Sequence, residues 1–222
     1  MATLHIEERV VRVVAADETL EGNLSLPDDA QGIVVFVHGS GSSRHSPRNR
    51  YVARILNDGG LATLLVDLLT EDEEAIDMLT ADLRFDIELL SQRVIGATDW
   101  LKKNPDTRDL AIGYFGASTG AAAALVAAAE RPDVVRAVVS RGGRPDLAGP
   151  ALERVRAPTL LIVGGNDFPV IEMNRAALKQ LQCEKRLEII PGATHLFEEP
   201  GALNQVAMLA RSWFERYLVS RD

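Results

Sequence analysis

The chain has 222 residues, 46% of them hydrophobic and 25% charged, a globular balance that excludes disorder and fibrous architectures. Its 24 Lys and Arg against 32 Asp and Glu leave a net charge of −8, the wrong sign for general nucleic-acid binding, which needs a basic face. A single cysteine, Cys183, excludes an intramolecular disulfide and a Cys-rich zinc site.

The opening MATLHIEERVVRVV lacks the apolar core of a signal peptide. The longest near-continuous apolar stretch, residues 121–129, falls well short of the ~18–20 residues of a membrane span. These features predict a cytoplasmic protein without membrane contact. No repeat, linker or composition break divides the chain, so one domain over residues 1–222 is expected, with N-terminal strands or a hairpin in 1–27 and the core in 28–222.

Residues 8–14 and 20–26 read as two strands, with a hairpin across 15–19. The run IVVFV at 33–37 is apolar throughout, as a buried parallel strand would be. Residues 48–57 form a short helix stopped by Gly59-Gly60, and ATLLV at 62–66 is the next buried strand. An acidic stretch follows at 71–77, then a long helix from about Thr80. On that helix Leu83, Ile87, Leu90, Val94, Ala97 and Leu101 share one face, and Asn104-Pro105 ends it. Asp67 and the acidic run are expected to cap it, where negative charge suits the dipole. Strands at 110–115, 134–139, 158–163 and 186–190 then alternate with helices at 118–130, 170–181 and 202–219. This order predicts a mostly parallel sheet of about eight strands with helices on both faces. Ligands bind such sheets at the carboxyl ends of the strands, which directs attention to the loops after residues 37, 66, 115, 139, 163 and 190.

The sharpest motif is Gly116-Ala117-Ser118-Thr119-Gly120, a G-x-S-x-G between a strand and a helix. Ser118 must occupy a strained turn that aims its Oγ out of the sheet, and side chains two positions either side would strike backbone. The competing reading makes Ser118 an ordinary helix cap. A serine nucleophile needs a base, and of the four histidines (His5, His38, His45 and His195) only His195 follows the last strand. The base in turn needs a carboxylate, and Asp167 follows the strand at 158–163 on the same edge. The order Ser118, Asp167, His195 is the order these hydrolases use. For the oxyanion, the Thr119 N–H is one expected donor. The turn His38-Gly39-Ser40-Gly41-Ser42-Ser43 supplies the other, Ser40 first and Gly41 second. That turn lacks the Lys-Ser/Thr of a phosphate-binding P-loop. Arg44, Arg48, Arg50, Arg141 and Arg144 crowd the expected mouth. Of these, Arg44, Arg141 and Arg144 are candidates to bind an anionic substrate group, against a reading in which they pair with the acidic loop at 71–77 or are simply solvated.

The motifs HGSGSS, GYFGASTGAA, SRGGRPDLAG and GATHLFEEPGAL resemble the α/β-hydrolases, and most closely the small dienelactone-hydrolase-like group, over residues 20–219. The resemblance implies an α/β-hydrolase fold, no metal and no organic cofactor. It carries nucleophile, acid and base onto Ser118, Asp167 and His195. Dienelactone hydrolases themselves use a cysteine as nucleophile; here the residue is Ser118, so the ester is left open. The expected activity is a carboxylesterase-type serine hydrolase taking small esters or lactones. The alternatives are a thioesterase, lysophospholipase or peptidase on the same residues, or a non-catalytic binding module. Only residues 140–157 lie between the sixth and seventh strands. That is too short for a large lid domain and predicts an open, shallow site covered by loops.

Overall fold

The computed structural model describes residues 5–15 and 17–219; the remainder of the expected domain, with Ala16 of the hairpin turn, lies outside the described residues. Eight strands form one sheet: β1 (Ile6–Ala15), β2 (Glu18–Pro27), β3 (Gly32–Val37), β4 (Ala62–Val66), β5 (Ala111–Ala117), β6 (Val135–Arg141), β7 (Thr159–Gly164) and β8 (Lys185–Ile190). Their order across the sheet is β1-β2-β4-β3-β5-β6-β7-β8. β1 and β2 form the antiparallel hairpin, β2 runs antiparallel to β4, and every later pairing is parallel.

The described residues form six helices, α1 (Pro47–Asp58), α2 (Glu71–Thr80), α3 (Ile87–Lys103), α4 (Thr119–Glu130), α5 (Phe168–Gln180) and α6 (Ala202–Leu218), of which all but α2 pack on the faces of the sheet. β3 shows why its whole run is apolar. Ile33, Val35 and Val37 enter the core beneath α3 and α4, while Val34 and Phe36 enter the opposite core beneath α1 and α6. The two-residue period of a strand thus feeds two hydrophobic layers at once. The alanines of α4 let it lie close on the sheet, where a Cβ at Gly116 would stand 2.5 Å from the Ala121 Cα. Among the described residues no helix is long and apolar enough to cross a membrane.

The long helix expected from about Thr80 is divided. The acidic stretch is a helix of its own, α2, begun by a capping box: the Glu73 N–H donates to Thr70 Oγ1 (3.2 Å) and the Thr70 N–H to Glu73 Oε2 (2.9 Å). Four carboxylates in its first turn suit the positive end of the helix. Ala81 ends it at φ 59°, in the left-handed region. A single 3-10 turn at Leu83–Phe85 follows, and Asp86 opens α3 by accepting the Leu89 N–H at 3.0 Å. Leu90, Val94, Ala97 and Leu101 are the buried face of α3 as expected. Asp67 caps no helix; it accepts the Arg44 N–H at 2.6 Å and pairs with the Arg44 guanidinium. Between β6 and β7 the chain makes only a kinked 3-10 segment, Pro145–Arg154, so no large lid is built there.

Candidate active site

Ser118 follows β5 directly, in a conformation (φ 51°, ψ −125°) that only glycine adopts freely. Backbone bonds hold it there. Its N–H donates to the Arg141 carbonyl (3.3 Å), and its carbonyl accepts the Ala121 and Arg144 N–H groups (3.1 and 3.0 Å). Such a residue costs about 1–3 kcal/mol of strain and persists only where its surroundings over-determine it. Although Ser118 precedes α4, its side chain makes no capping bond, which removes the helix-cap alternative. The flanking glycines are sterically required: a Cβ at Gly120 would lie 2.3 Å from the Val37 carbonyl oxygen.

Asp167 stands just before α5, yet its carboxylate does not cap that helix. It reaches His195 instead, with Nδ1 2.6 Å from Asp167 Oδ2. The Asp167 loop is stitched to the His195 loop by the Gly165 N–H donating to the Ile190 carbonyl (2.8 Å) and the Asn166 N–H to the Ala193 carbonyl (2.9 Å). The His195 loop is pinned by buried Phe197 and by Glu199, which accepts the Thr194 N–H and hydroxyl (3.0 and 2.6 Å). The Thr194 hydroxyl and nearby backbone N–H groups hold the Glu199 carboxyl below its ordinary range. Neither Thr194 nor Glu199 carries a sequence signature; their five-residue spacing becomes informative only once the loop closes. Ser118 and the His195 ring both lie beside the end of β6. Arg141 accepts the Ser118 N–H, and the next residue, Gly142, lies so near the ring that a Cβ there would stand 3.5 Å from His195 Cε1.

The turn after β3 packs on Ser118, with a Cβ at Gly39 falling 2.9 Å from the Ser118 Cβ. The Ser40 N–H, expected as a free oxyanion donor, donates to Thr119 Oγ1 at 3.1 Å. It is drawn there because the Thr119 hydroxyl sits over the turn at the start of α4. The Thr119 and Gly41 N–H groups have no acceptor among the described residues. His38, not a candidate in the sequence, braces this turn. Its Nε2 accepts the Leu68 N–H (3.0 Å), which leaves the proton on Nδ1 to be donated to the Gly39 carbonyl (3.0 Å). Burial pushes the His38 pKa down, with the Gly39 carbonyl and Asp67 opposing, so the ring is neutral.

The arginines separate into two kinds. Arg44 is saturated by Asp67, Glu21 and Asn23, and Arg144 binds Asp146 through Nε and Nη2 (2.9 and 2.8 Å). Both candidates are thus already neutralised, although their partners are not the acidic loop; the arginines that pair with that loop are Arg84 with Asp77 and Arg93 with Glu73. Arg141, the last residue of β6 and not a loop residue, has no carboxylate within ion-pair distance among the described residues. Arg50 is exposed on α1. His5 is near Asp28 at 3.6 Å, and His45 is exposed; neither joins the site. Cys183 is half-buried against the core, its Sγ donating to Thr159 Oγ1 at 3.7 Å.

Beside the turn opens a cleft of about 240 Å³, lined by Ser40, Gly41, Leu69, Met78, Arg84 and Leu90 among others. Glu74, Asp77 and Met78 of α2 belong to its lining, so a helix as well as loops borders the cleft. Ile76, Met78 and Leu79 of that helix stay exposed.

The model of the dienelactone hydrolase family matches residues 20–218. A crystal structure of a dienelactone hydrolase from Anabaena variabilis is 66% identical, with a TM-score of 0.95, covering 96% of this chain and 99% of that one. Est1E from Butyrivibrio proteoclasticus, at 18% identity, shares the fold with a TM-score of 0.78 over 93% of this chain and 98% of its own. Two curated relatives from Mycobacterium tuberculosis strains, named for phosphoribosyl transfer, are 58% identical over 213 residues. Those 213 residues are 96% of this chain and 47% of the relatives, so the chain spans about half their length. With an α/β-hydrolase sheet, an elbow serine after β5 and a family match across nearly its whole length, the chain belongs to the dienelactone hydrolase family.

Proposed function

We propose that the protein is a carboxylesterase-type serine hydrolase, cleaving small ester or lactone substrates by acyl transfer through Ser118. The reading rests above all on the 2.6 Å contact between His195 Nδ1 and Asp167. An acid that declines its local helix to reach a histidine from another loop has a purpose beyond helix capping. In the proposed reaction His195 Nε2 removes the Ser118 proton as Oγ attacks the carbonyl carbon. The tetrahedral intermediate collapses, the same proton passes to the leaving alcohol, and an acyl-enzyme remains. Water, deprotonated by His195, then releases the acid. Asp167 holds the Nδ1–H tautomer and stabilises the imidazolium.

The oxyanion is assigned to the Thr119 N–H and to the Ser40 N–H. The latter leaves the Thr119 hydroxyl when a charged oxygen appears, because a charged acceptor outcompetes a neutral one. Gly41 is the second choice from the same turn. Phosphoribosyl transfer, the activity in the names of the two mycobacterial relatives, stays with those longer proteins.

Ser118→Ala should lower kcat on p-nitrophenyl acetate by about 10⁴–10⁶-fold. A fluorophosphonate should add one adduct, which peptide mapping should place on Ser118. Retention of most turnover by Ser118→Ala would reject the assignment.

A further inference from the structure

On one side the sheet ends in β1, a strand of 10 residues with neither proline nor glycine in it. Its ladder shows which of its backbone groups are already bonded. The Asp28 N–H donates to the His5 carbonyl (3.0 Å), and the Asp67 N–H to the Glu21 carbonyl (2.9 Å). Antiparallel ladders alternate in steps of two, so β2 turns its even-numbered residues to β1 and its odd-numbered residues to β4. β1 accordingly bonds β2 through residues 7, 9, 11, 13 and 15. Residues 6, 8, 10, 12 and 14 aim their N–H and C=O groups off the sheet, and among the described residues no other segment bonds them there. Such an edge is a template for another strand unless it is shortened, covered or charged.

The side chains along this edge are symmetric about Val10. Val11, Val13 and Ala15 face the core beneath α3, while Glu8, Val10, Arg12 and Val14 stand exposed on the opposite face. Val10 and Val14 are 70% and 61% exposed. A two-fold axis through Val10 lays Glu8 of one copy against Arg12 of the other, Ile6 against Val14, and Val10 against itself. Every residue in those pairs has outward backbone groups, so the register that matches the charges is one the ladder permits. Sliding the copies by two residues sets Val10 against Arg12 and Glu8 against Val14, and the match is lost. Neither Glu8 nor Arg12 has an ion-pair partner among the described residues. Glu21, the cross-strand neighbour of Arg12, is held by Arg44. Like charges would blunt the edge; opposite charges at mirror positions select a strand of the same sequence.

We infer that the β1 edge pairs with the β1 edge of a second copy of this chain, antiparallel about Val10, joining two eight-stranded sheets into one. The pairing adds about ten main-chain hydrogen bonds. A two-fold contact uses both edges at once, so the assembly closes at the dimer. It uses no residue of the candidate active site and is independent of the acyl-transfer reading.

Sedimentation of the full chain over about 1–100 μM should show a monomer–dimer equilibrium. Val10→Pro removes an outward N–H and leaves the bonds to β2 intact. Arg12→Glu sets carboxylate against carboxylate on both sides of the axis. Each should weaken the dimer about tenfold or more. Glu8→Arg combined with Arg12→Glu rebuilds the pair with its signs exchanged and should bring the dimer back. Circular dichroism spectra should match the wild type, which separates a lost dimer from a lost fold. If Val10→Pro fails to fold, Arg12→Glu and the charge exchange still decide. A wild type monomeric at every concentration overturns the pairing. So does a dimer unmoved by Val10→Pro and Arg12→Glu, which means that the copies meet elsewhere, or a charge exchange that restores nothing.

Discussion

The Ser40 N–H donates to the Thr119 hydroxyl at 3.1 Å, and the two hydroxyls lie 3.0 Å apart. The residue that follows Ser118 therefore also holds the turn facing it. Thr119→Val keeps the branched shape but removes the acceptor, and the Ser40 amide is then no longer aimed. One neutral hydrogen bond is worth about 1 kcal/mol, so kcat should fall about fivefold with little change in KM. Thr119→Ser should restore most of the rate. A faster Thr119→Val enzyme would mean that the hydroxyl competes with the oxyanion instead of positioning its donor.

His38 links β3 to the chain beyond β4 by accepting the Leu68 N–H, and it braces the Gly39 carbonyl. The folded ring resists protonation because burial lowers its pKa, whereas the unfolded ring takes a proton as pH falls through about 6.5. The unfolded state thus binds more protons below that point. Stability from neutral His38 is full above about pH 6.5 and declines as the pH drops beneath it. His38→Asn should cost about 1–3 kcal/mol at pH 8 by stranding the Leu68 N–H, and it should flatten part of the acid-side loss. Urea titrations of both proteins between pH 8 and 5 measure this. Parallel curves would show that His38 does not contribute to the pH dependence.

The strands along the chain and the elbow could be read from the residues because both are local. IVVFV is apolar on both faces, and GASTG sits between a strand and an alanine-rich helix. The wall formed by α2 was harder to read. T-E-D-E at residues 70–73 spells its capping box, but the apolar spacing from Leu83 to Leu101 runs on as though one helix covered it. The break at Ala81 is a left-handed alanine, for which the residue type carries no signal. Charge partners were obscure for a different reason. Arg44 and Asp67 lie 23 positions apart and meet only because β3 and β4 are neighbours in the sheet. Ser40 was legible as part of the turn, but the acceptor of its N–H depended on a side chain 79 residues away.

Gly39 is where the turn and Ser118 touch. A methyl group there would stand 2.9 Å from both the Ala117 carbonyl oxygen and the Ser118 Cβ, and neither can yield without moving the elbow. Gly39→Ala should cost about 1–3 kcal/mol of stability, as overpacking does. It should cost activity more heavily, about 100-fold in kcat, because small displacements of the nucleophile and donors are amplified in rate. Thermal melts and steady-state kinetics on one preparation separate the two effects. A variant with lowered melting temperature and full kcat would contradict the close packing argued here.

Asp167 and Glu199 both support His195, one through its ring and one through its loop, and their variants should differ in kind. Asp167→Asn preserves the shape but presents an amide to Nδ1. The ring then no longer has a strong acceptor fixing its proton on Nδ1, and the imidazolium loses its countercharge. kcat should fall about 10⁴-fold, with KM nearly unchanged. Glu199→Gln keeps an oxygen for the Thr194 N–H and hydroxyl and disturbs only the loop's anchorage. Its loss should be about tenfold or less and should grow with temperature as the loop loosens. If Glu199→Gln proved as damaging as Asp167→Asn at every temperature, Glu199 would act on the ring's chemistry as well as its position, and the single-acid assignment would have to be abandoned.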